Sequence, residues 1–359
     1  MKNVDKLQKD NYTKFKEDIF ISNPNLKFKK IIINSNYSNG FNDIFEIFKS
    51  FNKIYLASPN KNEYIIDIIN IENSKLFISL KGHNNFINQV KYFKNKNNNN
   101  EYLISVDKNN VIIIWNINNN YSKFYKIESY ISKGFISGII LTFNILDSTN
   151  KENNYIIFSF NCKIYTYVYS LDYKVKIKTI KKTNEYNTYY LIFWTNQKDN
   201  NNYIIELSDR NIFIYNVIED DILYCNLKLG PFDYSKNNCG FIYNKNNTDF
   251  LIISSPCGNI MIWDLISKCM YYNISLYKNL DKNKLYLSYI LQWSNKYIIA
   301  CEYYYKGFKI IDIDNFKIIS SIKGKHTGSI ICSKKFYHPI YRESLLSLGE
   351  DNNIILWST

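Results

Sequence analysis

The amino-acid sequence predicts an all-β fold, a seven-bladed β-propeller of four-stranded antiparallel blades. Three observations predict it. Apolar runs closing on an aromatic or aliphatic anchor recur at Ile66, Trp115, Tyr167, Tyr215, Trp263, Ile311 and Trp357, at separations of 49, 52, 48, 48, 48 and 46 residues. A period of that length marks an architecture of stacked repeats. Each anchor run is flanked by further short segments rich in β-branched and aromatic residues, four strands to a unit. Lastly, the final unit stops at Thr359, directly after its anchor strand, while a strand-like segment near the start, "NLKFKKIIINS", belongs to no unit.

The elements follow in chain order. Residues 1–24 are polar and of mixed charge, with a thin stripe of Val4, Leu7, Phe15 and Ile19, and are expected to form a tail or short helical arm outside the ring. Residues 25–359 are expected to form one propeller domain. Asn25–Ser35 should add to the last hairpin as its outer strand, because a final strand left at a bare edge invites aggregation. Within each unit the first strand ends on a bulky residue, namely Phe93, Phe143, Trp194, Tyr243 or Trp293, which reads as core between blades. The second strand precedes the anchor across a polar turn, and the fourth follows it after a short hairpin. The asparagine runs 97–100 and 200–202 lie between first and second strands, where added residues lengthen a surface loop without touching the core.

Composition narrows the function. Lys plus Arg total 45 against 32 Asp plus Glu, a formal charge of +13, yet Arg210 and Arg342 are the only arginines. Lys, Asn, Ile and Tyr are inflated together, as AT-rich codons would produce, and bidentate phosphate or guanine contacts come mostly from arginine. Binding to nucleic acid or an anionic membrane is therefore the second reading. Apolar runs of about five residues fall far short of the roughly 20 that span a bilayer, and the N-terminus lacks the apolar core of a secretory signal. A cytoplasmic protein is expected, with a nuclear one the alternative.

Seven cysteines stand singly, without a C-x-x-C pair, so buried free thiols are expected rather than a disulfide framework or zinc site. Three histidines are few for acid–base work. His338, in "FYHPIY", reads as a loop residue between the first and second strands of the last unit. Glu219–Asp221, Asp312 and Asp314 read as hairpin turns, where Asp satisfies local backbone groups. No phosphate loop, metal motif or nucleophile elbow is present. No enzyme, metal or cofactor is expected.

Two units carry a sharper pattern. From Lys81 the chain reads "KGHNNFINQVKYF…EYLISVDKNNVIIIWNI", and from Lys323 "KGKHTGSIICSKKFY…SLLSLGEDNNIILWS". They resemble the WD-repeat (WD40) family, whose units run from a Gly-His pair to a Trp-Asp pair. The resemblance covers about residues 26–359. It implies a structural tetrad of His326, Ser347, Asp351 and Trp357 in the last unit, and of His83, Ser105, Trp115 and either Asp107 or Asn109 in the second. Trp263-Asp264 is the one literal Trp-Asp pair. Units anchored on Ile66, Tyr167, Tyr215 and Ile311 depart from the pattern and should rest on apolar packing.

The same resemblance implies a protein-interaction scaffold, monomeric within a larger complex and without a small-molecule substrate. Its partner-binding candidates are Tyr303, Tyr304 and Tyr305 in the blade-six loop, Arg210 in the equivalent loop of blade four, and Tyr130, Tyr186 and Phe232 in loops that precede first strands. Tyrosine brings large contact area at low entropic cost. A ubiquitin-ligase substrate receptor is a weaker reading, because an Arg usually follows the Trp-Asp pair in such boxes and "WDLI" and "WNIN" lack it.

Overall fold

The computed structural model describes residues 23–34, 44–60, 63–95, 98–109, 111–128, 138–146, 152–160, 165–170, 175–181, 188–208, 211–217, 223–228, 239–255, 257–277 and 286–359. Within these the secondary structure is β-strand throughout, in four-stranded antiparallel sheets. Six sheets are each drawn from four consecutive strands and span 46–80, 87–128, 138–181, 188–228, 240–275 and 287–322. They are blades one to six. The remaining four-stranded sheet, blade seven, joins Lys27–Asn34 to Ile330–His338, Arg342–Gly349 and Asn353–Ser358. Counting anchors as like units therefore needs a correction. Only six anchors sit in self-contained blades, and the unit around Trp357 supplies three strands and takes its fourth from the other end of the chain.

The ring closes through that composite sheet. Lys27–Asn34 pairs antiparallel with Asn353–Ser358, with Ile31 opposite Ile355 and Phe28 opposite Trp357. Innermost strands of successive blades pack against one another around the circuit, including those of blades seven and one. One continuous apolar core runs from Ile252 and Ile262 in blade five, through Trp293 and Ile299 in blade six and Leu346 and Trp357 in blade seven, to Leu56 in blade one. Leu26 and Ile32 of the closing segment belong to it. Polar contacts add to the seal. Lys334 meets Glu46 at 3.4 Å across the blade seven–one boundary. Half-buried Lys30 donates to the carbonyls of Ile71 and Glu72 and to Ser74 Oγ, at 3.1–3.2 Å, clamping the closing strand to the outer hairpin of blade one.

Two expectations change. His338 ends the first strand of blade seven and is fully buried, not a surface-loop residue. Its Nδ1 accepts the backbone N–H of Ile340 and Tyr341, so the ring caps the tight turn after Pro339. Among the cysteines Cys239, Cys301 and Cys332 are buried, but Cys269 is exposed and Cys257 half-buried. Asp312 serves its turn, accepting from Asp314 N and Asn315 N, whereas Glu219–Asp221 and the 1–22 segment lie outside the described residues.

Candidate functional site

Antiparallel pairing brings the end of each second strand, the start of each third strand and the start of each first strand to the same end of the ring. The tetrads sit at this end. In blade seven the Trp357 indole donates to Ser347 Oγ at 2.7 Å, Ser347 lies 2.8 Å from His326 Nε2, and His326 Nδ1 lies 2.9 Å from Asp351. In blade two the Trp115, Ser105, His83 and Asp107 contacts measure 2.9, 2.7 and 2.9 Å. A neutral imidazole satisfies both chains: Nδ1–H donates to the carboxylate, Nε2 accepts the Ser proton, and the Ser oxygen accepts the indole. Burial lowers the pKa of His326, and this outweighs the opposing pull of Asp351. Against its own burial, Asp351 is held below its usual range by bonds from His326 and the Thr327 backbone.

The two tetrads reach the same contact from different positions. Asp351 lies four residues beyond Ser347, in the turn, while Asp107 lies two beyond Ser105, at the end of the strand. Gly349 fills the Asp107 register in blade seven. A Cβ there would stand 2.4 Å from His326 Nδ1 and 2.6 Å from Asp351 Oδ1, so no side chain fits. Asn109, the other candidate, instead accepts from Asn85 Nδ2 at 2.8 Å.

In other blades the Ser105 and Asp107 registers hold different residues. In blade four Glu206 holds the Ser105 register and is 1% exposed, accepting from Thr188 Oγ1. In blade five Ile253 holds that register, so the indole N–H of Trp263 is buried without an acceptor. In blade six Glu302 holds the Asp107 register. It accepts the Tyr277 hydroxyl at 2.7 Å and pairs with Lys309 at 3.3 Å.

Around Glu302 the sequence builds a tyrosine cluster. Tyr277 and Tyr286 come from the connection between blades five and six, and Tyr303–Tyr305 from the turn between the second and third strands of blade six. Tyr277 stacks on Tyr305 at 5.6 Å and meets Tyr286 at 4.7 Å, while Lys309 lies 4.9 Å over the Tyr277 ring. Burial, then Glu302, pushes the Tyr277 phenol well above its ordinary value, so it remains a donor. Tyr304 stands edge-on to Tyr305 at 5.3 Å, and the two are 52% and 54% exposed. Tyr303 turns inward and donates to Glu350, so it braces blade six against blade seven instead of facing a partner. Gly324 packs directly on the Lys306 carbonyl, which brings exposed Lys323 and Lys325 beside Lys306.

Tyr130, Tyr186, Arg210 and Phe232 lie outside the described residues. Trp194 and Trp293 are buried, and Trp194 bridges blades by donating to Asp249 Oδ2 at 2.9 Å. Sequence reasoning missed Tyr277, Tyr286 and Glu302. The usable signal was the register of Glu302, which matches Asp107.

No protein-family model and no curated protein matches this chain. Its fold matches 1393 chains of solved structures. One, titled a crystal structure of BBS1N in complex with ARL6DN, soaked with lead, superposes with a TM-score of 0.66 at 7% identity, covering 89% of this chain and 93% of that one. The fold and this likeness define a β-propeller.

Proposed function

We propose that this chain is a WD-repeat-type, non-enzymatic scaffold that docks a protein partner on the face bearing Tyr304 and Tyr305. The observation that carries the reading is a pair of large, exposed aromatic rings, Tyr305 stacked on Tyr277 and tilted against Tyr286, and Tyr304 set edge-on against Tyr305. Preorganised aromatic area of this kind is what interface anchors are made of. The charges around them favour an acidic partner segment. Glu302 is engaged by Lys309 and Glu350 by Tyr303, whereas Lys323 and Lys325 are exposed, beside exposed Lys306, whose ammonium donates to the Thr327 carbonyl. The tetrads of blades two and seven support the WD-repeat assignment. The BBS1N structure is a propeller in complex with another protein, which is the mode proposed here.

The test is affinity capture from native lysate with a photo-cross-linker placed at Lys306, comparing wild type with Tyr304→Ala/Tyr305→Ala. Tyr303 is left intact because it braces the ring. The proposal expects one cross-linked partner in wild type, reduced at least tenfold in the variant at equal thermal stability. The same cross-linked partner at equal yield in both would overturn it.

A further inference from the structure

We propose a second binding site, on the opposite face, in which the junction of blades five and six receives one aromatic side chain, an indole above all, from a partner protein. A cavity of about 210 Å³ opens there. A ring-size difference from the two flanking junctions marks its place. At the junctions on either side, the first-strand terminal position holds a tryptophan: Trp194 between blades four and five, and Trp293 between blades six and seven, both buried. In blade five that register holds Tyr243, whose hydroxyl is tied to the Asn295 carbonyl at 2.9 Å. The smaller ring, fixed at its tip, leaves space beside it.

The space has a floor, walls and a mouth. Ile252, Ile262 and Ile313 form an apolar floor. Phe250 and Tyr271 stand 5.2 Å apart at 52°, and Tyr271 and Phe316 6.5 Å apart at 66°, so three rings wall a slot. Tyr272 stacks on Phe316 at 4.5 Å from outside and stiffens that wall. The mouth is spanned by the Lys245–Asp314 ion pair, whose side chains are both close to half exposed. Such a pair contributes little and yields easily.

Size selects the occupant. An apolar cavity of about 150 Å³ takes a benzene, so this one takes a larger ring. Whole-ligand pockets run to roughly 300–1,000 Å³, which this one does not reach. A ring attached to a peptide fits, with exposed Tyr271 on the outer strand of blade five at its edge. Polarity selects indole over phenyl. Asp314 spends Oδ1 on Lys245 and has a second oxygen to accept an N–H, the same pairing that Trp194 makes with Asp249 one junction away.

The experiment titrates the full chain with N-acetyl-tryptophanamide, following the isoleucine methyl resonances. Saturable shifts at Ile252, Ile262 and Ile313 are expected, at least tenfold weaker in the plugging variant Thr248→Trp and in the wall variant Phe316→Ala, and unchanged in Tyr304→Ala/Tyr305→Ala. N-acetyl-leucinamide should bind at least fivefold more weakly. A capped Gly-Trp-Gly peptide should bind at least as tightly as the amide, whereas free indole binding tenfold tighter than the peptide would overturn the partner-side-chain reading. No saturable shift in folded wild type, or equal binding in both pocket variants, would overturn the site.

Discussion

Two tryptophans hold the same register in blades five and seven of the ring and should respond differently to one substitution. Trp357 gives its indole N–H to Ser347, the first link of a buried chain through His326 to Asp351. Trp357→Phe deletes that donor and leaves the Ser347 oxygen short of a partner, at a cost of about 1–3 kcal/mol. Truncating a ring that is 1% exposed adds roughly 1–2 kcal/mol of lost packing. The expected loss is about 2–5 kcal/mol. Trp263 is 8% exposed and its N–H has no acceptor, because Ile253 stands where blade seven has Ser347. Removing an orphan donor recovers about 1–3 kcal/mol of desolvation, which offsets the packing loss, so Trp263→Phe should destabilise by no more than about 1 kcal/mol. Urea unfolding followed by far-UV circular dichroism measures both, from midpoints at a common slope. Equal destabilisation by the two substitutions would refute the claim that the hydrogen-bonded chain, rather than ring burial alone, is what the Trp contributes in blade seven.

Further perturbations follow from named contacts. Burial, with Lys30 nearby, lowers the His338 pKa from 6.5 to about 4. The unfolded chain therefore binds more protons between these values, and stability present above pH 6.5 is lost as pH falls toward 4, by up to about 3 kcal/mol. Urea midpoints taken from pH 7.5 to 4.5 should show this slope in wild type and a shallower one in His338→Leu; identical slopes would remove His338 from the account. Lys30→Met keeps the aliphatic stem but frees two carbonyls and Ser74, and should cost about 1–2 kcal/mol with earlier proteolysis near residue 34. Gly349→Ala drives a methyl into His326 and Asp351 and should cost about 2–3 kcal/mol in urea unfolding, with shifted His326 ring resonances in the folded variant; unshifted resonances at unchanged stability would contradict the close approach.

What the sequence made legible was the part governed by periodicity. Anchors 46–52 residues apart located the blades, and "NLKFKKIIINS" without a unit pointed to pairing at the far end. The blade-seven tetrad was legible because all four of its residue types stand in the family's positions. The blade-two carboxylate was not, since Asp107 and Asn109 both suit a turn and only the register of the strand end brings Asp107 to His83. His338 was misread because "HPIY" looks like loop chemistry, while the strand runs on to the histidine and buries it as the turn's cap. Tyr303 was placed with its neighbours by adjacency, yet Glu350 from the next blade draws its hydroxyl inward. The Tyr277–Glu302 bond joins positions 25 residues apart, and no local pattern announces it. The cavity beside Tyr243 came from a ring-size difference across repeats, visible in sequence only once Trp194, Tyr243 and Trp293 are known to share one register.

Hydrogen–deuterium exchange of backbone amides, read by mass spectrometry, tests ring closure most directly. If both chain ends form one sheet, amides in Lys27–Asn34 that face Asn353–Ser358 should exchange as slowly as those of the partner strand and respond to urea together, through global unfolding. Rapid, urea-independent exchange across 27–34 beside a protected 353–358 would contradict it.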